Sequence, residues 1–259
     1  MATIYISLLD EGTDVWRPVS GERVFDKVYR ITGTPPDDTE KWEFTTGDIV
    51  QCRVQKFATL ERRLVAYKKV TLKTPTPGLI RKAIRLFDGD PKNATIERSL
   101  TLLFGTWPGN LDLAHVIPKA AALNMLYSTG ILDVLTVAEH IVSLNIDARL
   151  TGGCHSVVED IANVSFANNK KVRFSSFATK YCSWHKPALF PISDTNARGT
   201  LLVFNARDAF DTFSENTLIT SYETYVRVVS SFRDYYGLQQ FTYKDLDKFL
   251  WLHNGAVGV

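Results

Sequence analysis

Hydrophobic and polar positions alternate along roughly the first seventy residues, in short runs rich in β-branched and aromatic side chains. A period of two is typical of strands with one buried face. Turn-forming clusters such as Asp10-Glu11-Gly12-Thr13 separate the runs. The pattern predicts strands at residues 3–9, 14–19, 27–32, 48–57 and 62–70. Five short strands with close turns favour a small antiparallel β-barrel.

The period changes after the segment Leu72-Lys73-Thr74-Pro75-Thr76-Pro77-Gly78, because its prolines and glycine interrupt regular structure. Beyond it, apolar residues recur every three or four positions, which predicts amphipathic helices. These helices are expected at residues 79–87, 95–104, 113–127, 134–144, 156–164, 174–184, 195–204, 217–236 and 243–253. The sequence therefore predicts an α+β chain, with a barrel at residues 1–71 and an all-α domain at residues 79–259.

Composition adds little to this picture, since 45% hydrophobic and 22% charged residues are ordinary for a folded protein. The N-terminus lacks the features of a signal peptide, and no apolar run is long enough to span a membrane. Three widely spaced cysteines match neither a disulfide framework nor a zinc site. We therefore expect a cytoplasmic protein without a membrane partner.

The net charge of +2 is a weak indication of nucleic-acid binding, so such a function has to rest on local basic stretches. Two are present, and each also fits an ordinary solvated surface. The first contains Arg62, Arg63, Lys68, Lys69, Lys73, Arg81, Lys82 and Arg85, and the second contains Lys170, Lys171, Arg173, Lys180, Lys186 and Arg198.

Candidate chemistry concentrates between residues 173 and 195. Lys180 lies in the helix predicted at 174–184, about 8 Å along the axis from its end. The link around Pro187 and Pro191 can double back over that distance and bring Asp194 beside Lys180 at the mouth of a cleft. Both residues also have a structural interpretation. Asp194 is placed to cap the following helix, a role worth about 1 kcal/mol, and Lys180 also fits a surface position.

The N-terminal strands resemble a small SH3-like barrel module found in many bacterial proteins. The resemblance rests on residues 8–19 together with Trp42-Glu43-Phe44 and Gly47-Asp48-Ile49-Val50. Trp16 and Trp42 are candidates for a recognition surface on this barrel. The alternative is that both tryptophans close a small barrel core, where aromatic residues are common.

The run from Lys180 to Phe190-Pro191-Ile192-Ser193-Asp194-Thr195 resembles the helix-hairpin-helix DNA glycosylases. In that superfamily a lysine-bearing helix leads through a proline-containing loop to an aspartate that begins the next helix. The run is closer still to bacterial proteins with an 8-oxoguanine-glycosylase-like fold. The similarity covers about residues 113–251 and includes Leu123-Asn124-Met125-Leu126-Tyr127-Ser128-Thr129. It implies a glycosylase-like helical domain that acts on double-stranded DNA with an extruded base. The chain has no four-cysteine iron–sulfur motif, so we expect no cluster and no other metal or cofactor.

The resemblance also implies roles for individual residues. Asp194 would stabilise positive charge on the sugar and orient the attacking water, and Lys180 would bind phosphate or attack C1′ and cut the strand. The implied base pocket contains Asn124, Tyr127, Tyr181, Trp184 and His185. The implied DNA contacts are Arg173, Ser175, Ser176, Lys170, Lys171, Lys186 and Arg198. Packing also accounts for Tyr181 and Trp184, and a position at a helix end also accounts for His185.

One departure from the superfamily concerns its hairpin, which usually reads Leu-Pro-Gly-Val-Gly and brings backbone N–H groups to a phosphate. Residues 173–179 contain no glycine. Phosphate binding here would fall to serine hydroxyls and to Arg173.

Two functions from different classes follow. The first is a DNA glycosylase for a damaged or modified base, with a phage-defence role against hypermodified DNA suggested by analogy alone. The second is a non-catalytic module that binds nucleic acid or protein, with its barrel carrying the main interaction. A salt-bridged or capping-only Asp194, or a narrow cleft, favours the module. An open cleft that both Lys180 and Asp194 enter, rimmed by basic residues, favours the enzyme.

Overall fold

The computed structural model describes residues 1–37, 39–57, 61–167 and 169–257, with side chains as far as His253. The chain forms two compact units. One consists of Met1–Thr74, Gly199–Thr212 and the C-terminal residues from His253, and the other of Pro75–Arg198 and Phe213–Leu252. A division by sequence order alone places Gly199–Thr212 in the helical domain. Residues 258 and 259 of that predicted domain lie outside the described residues.

The first unit contains a closed barrel of five strands, as the alternating pattern predicts. They are β1 (Ala2–Ser7), β2 (Trp16–Phe25), β3 (Val28–Ile31), β4 (Ile49–Lys56) and β5 (Arg62–Lys69). Consecutive strands pair antiparallel, and β1 closes the barrel by a parallel pairing of Tyr5 with Val65. Strand β2 continues six residues beyond its predicted end at position 19.

Alternate residues of these strands fill the barrel, with Ile4, Ile6 and Val50 fully buried. Trp42 belongs to this core at 7% exposure, which is the structural role considered for it. Trp16 is half-buried and packs edge-on against Phe57, 5.6 Å between ring centroids. The two tryptophans therefore do not share one recognition surface.

The predicted α+β class is confirmed, since a helical unit follows the barrel. Its helices are α1 (Pro77–Gly89), α2 (Pro91–Thr106), α3 (Leu113–Tyr127), α4 (Val134–Ser143), α5 (Asp147–Thr151), α6 (Ser156–Ala162), α7 (Ser175–His185), α8 (Thr195–Asp208), α9 (Glu215–Thr220), α10 (Tyr222–Tyr235) and α11 (Tyr243–Val257). The predicted helix at 217–236 is divided at Ser221, whose side chain caps α10 by accepting a hydrogen bond from Thr224 N. Helix α5 was not predicted.

An antiparallel hairpin separates α6 from α7, formed by β6 (Asn163–Ser165) and β7 (Lys171–Arg173). The helical unit is thus not purely α, and the sequence 163–173 forms strands where no strand was expected. The Phe174 amide donates to the Ala162 carbonyl at 2.8 Å, which ties the start of α7 to the end of α6. None of the described helices has the length and apolar character needed to cross a membrane.

The second part of α8 belongs to the barrel unit. Val203 joins a small apolar cluster with Val28, Ile49 and Val70. Gly199 faces Phe25 so closely that an added Cβ would lie 2.5 Å from Cε1 of the ring. Glycine at this position therefore reflects close packing.

Candidate functional site

Helix α7 carries the candidate residues on two faces. Ser176, Lys180 and Trp184 are four residues apart and therefore share one face, while Tyr181 and His185 share another. Every residue from 177 to 183 is buried. Both faces consequently meet other elements of the helical unit.

The first face brings Lys180 to Asp194. The Lys180 ammonium donates to Asp194 Oδ2 at 3.3 Å and to Ser176 Oγ at 2.7 Å. It also lies 5.3 Å from the centre of the Tyr127 ring. Lys180 is only 4% exposed, whereas the side chain of Asp194 is 20% exposed. The carboxylate compensates a lysine that would otherwise be a costly buried charge.

Four hydrogen bonds with α7 and α10 hold the end of the segment that leads from α7 to Asp194. Two come from tyrosine hydroxyls of α10 to consecutive carbonyls, and two join a buried threonine of α7 to the residue before Asp194. They are Tyr222 Oη to Pro191 O (2.8 Å), Tyr225 Oη to Ile192 O (2.6 Å), Ser193 N to Thr179 Oγ1 (3.1 Å) and Thr179 Oγ1 to Ser193 O (3.3 Å). The backbone of this segment is therefore fixed at the point where Asp194 turns towards Lys180.

Each oxygen of Asp194 has its own partner. Oδ1 accepts the Ala197 amide at 2.9 Å and so caps α8, while Oδ2 accepts from Lys180. The capping interpretation and the pairing with Lys180 are thus both realised. Arg198, one turn further along, donates to Ser193 Oγ at 3.1 Å. Burial lowers the pKa of Arg198, although the Asp194 carboxylate opposes that shift.

A residue that the sequence interpretation did not select, Asp247, also lies in this group. Protein atoms crowd its carboxyl, although the side chain keeps partial solvent exposure. Burial raises the pKa of Asp247 to about 8, and the Asp194 carboxylate acts in the same direction. The ammonium groups of Lys180 and Lys244 oppose the rise. The available signal was its place on the buried stripe of α11 with Leu246 and Leu250, where a carboxyl is unexpected.

A groove of about 360 Å³ opens beside Trp184 and is also lined by Phe104, His185, Lys186 and Lys244. The Lys244 ammonium lies 3.7 Å from the centre of the Trp184 ring and pairs with Glu97 at 2.7 Å. Trp184 Nε1 is buried beside the Tyr127 hydroxyl, but their geometry does not form a hydrogen bond. Burial raises the pKa of Tyr127, so its hydroxyl stays protonated.

The second face of α7 joins a buried polar network around Lys119. The Lys119 ammonium donates to Trp107 O (3.0 Å), Gly109 O (2.8 Å) and Asn110 Oδ1 (2.8 Å). Tyr181 donates its hydroxyl to the same Asn110 oxygen at 2.5 Å. These bonds hold the connection between α2 and α3, so the structure gives Tyr181 a packing and hydrogen-bonding role.

His185 lies between this network and the groove, with Nε2 3.4 Å from Lys119 Nζ. Burial lowers the pKa of His185 to about 3, and the neighbouring Lys119 charge adds to the effect. The imidazole is therefore neutral at physiological pH. Because an ammonium faces Nε2, we infer that Nε2 is the acceptor and Nδ1 carries the proton.

The side chain of Asn124 forms no hydrogen bond with Lys180 or Asp194. Its amide nitrogen donates to Ile131 O at 2.8 Å, and its oxygen accepts from Thr129 Oγ1 and Ile131 N. The side chain thus holds the turn after α3. Of the five predicted pocket residues, Tyr127 contacts Lys180, and Trp184 and His185 line the groove.

The predicted DNA contacts do not form one group. Arg173 pairs with Glu159 at 2.7 Å and donates to Ile219 O at 2.6 Å, so its guanidinium is engaged within the protein. Ser176 accepts from Lys180. The remaining members have other surroundings: Lys170 and Lys171 are exposed on the β6–β7 hairpin, Ser175 is half-buried at the start of α7, Lys186 lines the groove and Arg198 contacts Ser193.

The described part of the chain contains no group of three or more His, Cys, Asp or Glu side chains arranged to hold a metal ion. Lys180, Asp194 and Asp247 are the groups that combine burial with an ionisable side chain at one place.

Comparisons with known proteins relate the helical part of the chain to others. A family described as the HI_0787_N N-terminal domain matches residues 79–189, a segment that includes Lys180 and ends before Asp194. A protein of Haemophilus influenzae described as uncharacterized is 38% identical over 130 residues, which are 50% of this chain. The match covers 61% of that relative's length. No solved structure matches the chain. The chain is thus similar to this family and this relative over half of its length or less.

Proposed function

We propose that this protein is a cytoplasmic DNA N-glycosylase, which hydrolyses the bond between a damaged or modified base and its deoxyribose. The observation that carries the proposal is the contact between Lys180 Nζ and Asp194 Oδ2, fourteen positions apart and 3.3 Å from each other. These are the two residues to which the glycosylase resemblance assigns the chemistry. The three cysteines, all free, fit a reducing compartment.

The charges around this pair support the same proposal. Three carboxyl groups, of Asp194, Asp247 and Glu97, face two ammonium groups, of Lys180 and Lys244. Breaking a glycosidic bond builds positive charge on the sugar, and the Asp194 carboxylate would stabilise such charge. The bond from Ala197 N to Asp194 Oδ1 keeps this carboxylate oriented while Oδ2 exchanges its partner.

DNA would be the partner in this function, with the target base extruded from the stack because its glycosidic bond is inaccessible inside a duplex. The groove beside Trp184, about 360 Å³ in volume, is within the range of small-molecule sites and has aromatic walls for stacking. A hypermodified phage base is the substrate that a defence role would require. That role rests on analogy with the glycosylase-like proteins.

A non-catalytic binding module is the second candidate, and specific contacts favour it. Lys180 is 4% exposed and salt-bridged. Both oxygens of Asp194 are engaged, one as a helix cap. In this alternative the pair stabilises the helical unit, and the barrel binds nucleic acid or a protein.

Base release by the full chain distinguishes the two candidates. The substrates are unmodified, oxidised and deaminated DNA, and phage DNA that carries modified cytosines. Free bases are measured by mass spectrometry and abasic sites by cleavage in alkali. Asp194→Asn is the test variant, since its side-chain oxygen can still cap α8. Asp133→Asn, at the cap of α4, is the matched control because Asp133 accepts the Thr136 amide in the same way.

The glycosylase predicts release of one type of base, lowered about 100-fold or more by Asp194→Asn and unchanged by the control. Strand breaks without alkali that disappear in Lys180→Met would add a lyase step. DNA binding without release from any substrate would support the binding module. Neither release nor DNA binding would reject both nucleic-acid functions.

A further inference from the structure

Asp247 is a carboxyl group that the mechanism above does not use. It lies three residues after Lys244 on α11. Lys180 lies four residues before Trp184 on α7. Residues at these spacings occupy successive turns of one helix face. Lys244 and Trp184 are in contact at the groove. Asp247 and Lys180 therefore lie one turn away from the groove residues along the same pair of helices.

The Asp247 carboxyl is surrounded by ionisable groups but is not bonded to any of them. Among the described residues, none forms a hydrogen bond or a close ion pair with its carboxyl. The ionisable groups that face it come from six places in the unit: Glu97 on α2, Tyr127 on α3, Lys180 on α7, Asp194 before α8, Tyr225 on α10 and Lys244 on α11 itself. The effect of burial outweighs that of the two ammonium groups, so Asp247 carries a proton at neutral pH.

We propose that Asp247 is the acid that protonates the departing base. The assignment rests on the proposed glycosylase function. The Asp247 carboxyl gives its proton to a ring nitrogen or oxygen of the base, and the C1′–N bond breaks with its electron pair going to the base. Water forms the new C1′–O bond and loses a proton to Asp194. The products are a neutral free base and an abasic sugar, and proton exchange with solvent restores both carboxyl groups.

The two carboxyl groups then have separate tasks that match their surroundings. Asp194 accepts hydrogen bonds from an amide and an ammonium, and its task is to stabilise the sugar cation. Asp247, crowded by protein and unpaired, is held in the protonated form that an acid needs. An acid must be protonated to act, so the rate falls as the pH rises above about 8.

The test measures single-turnover base release between pH 6 and 9.5, on whichever DNA of the panel the wild-type protein processes. Asp247→Asn keeps the shape of the side chain but cannot donate a carboxyl proton. Glu139→Gln, an exposed position on α4, is the matched control. We expect Asp247→Asn to lower the rate about 100-fold or more at pH 7 and to abolish the decline above pH 8, with the control unchanged.

Asp247→Asn with the wild-type rate and the wild-type decline would overturn the assignment and leave the glycosylase standing. The wild-type profile provides an independent criterion that needs no variant. A wild-type rate that stays unchanged between pH 7 and pH 9.5 would also overturn the assignment of Asp247. Absence of base release by the wild-type protein from every DNA would reject the glycosylase, and the assignment with it.

Discussion

Replacing Lys119 by methionine tests how the connection between α2 and α3 is held. The buried ammonium donates to Trp107 O, Gly109 O and Asn110 Oδ1 at 2.8–3.0 Å. Methionine fills a similar volume but leaves the two partly buried carbonyls without this donor, at about 1–3 kcal/mol each. Asn110 Oδ1 keeps the Tyr181 hydroxyl. Removal of a buried ammonium offsets part of the loss. We therefore expect the free energy of unfolding at pH 7 to fall by about 2–3 kcal/mol.

Urea denaturation followed by tryptophan fluorescence measures this change, and thermal unfolding provides a second measure. A loss of this size lowers the Tm by about 4–12 °C for a unit of this length. Lys82→Met, an exposed position on α1, is the matched control and should stay within about 0.5 kcal/mol. A change in Lys119→Met no larger than in this control would refute the role assigned to the lysine.

The pH dependence of the same variant tests the burial of Lys119. Burial lowers the pKa of Lys119 from its ordinary value of 10.5 to about 8. Between these values the unfolded chain binds a proton that the folded chain does not, so this group makes the folded state more stable as the pH rises. The methionine variant lacks the effect. The difference in unfolding free energy between wild type and variant should therefore widen above pH 8, by up to about 1.4 kcal/mol per pH unit. A constant or narrowing difference would contradict it.

Three further predictions concern other parts of the chain. Thr179→Val removes both hydrogen bonds to Ser193 and should lower the free energy of unfolding by about 1–3 kcal/mol, measured by urea denaturation; an unchanged midpoint would contradict it. Gly199→Ala places a Cβ 2.5 Å from Phe25 and should destabilise the barrel unit by about 1–3 kcal/mol, seen as a lower Tm. If the exposed β6–β7 hairpin contacts DNA, Lys171→Ser should reduce the slope of log Kd against log salt by about one, and an unchanged slope would exclude that contact.

Much of the secondary structure could be predicted because its signal is local. The alternating pattern located all five barrel strands, and the spacing of apolar residues located α3 and α7 within a residue at each end. The predictions that were wrong depend on short polar details. A capping serine at position 221 divides one predicted helix into two. The β6–β7 hairpin has too few residues for its period to be recognised.

The candidate site could be predicted only in part. The link through Pro187 and Pro191 allowed Lys180 and Asp194 to meet, and their contact is present. Asp247 was missed because Asp194 and Lys180, which face it, are 53 or more positions away, and nothing in α11 alone shows what its buried face meets. Arg173 was expected to contact DNA, but its pairing with Glu159 depends on how the hairpin returns to α6.

The sequence by itself determined the barrel strands and most of the helices, the change from barrel to helical segment, and the residue types available for chemistry. These follow from periodicity and turn chemistry, which act over a few residues. Only the tertiary structure decided which part of α8 belongs to the barrel unit, that Lys119 and Lys180 are buried, and that burial raises the pKa of Asp247. Burial and the pKa of a carboxyl depend on atoms brought together from distant parts of the chain, because desolvation and charge act through space and not along the sequence.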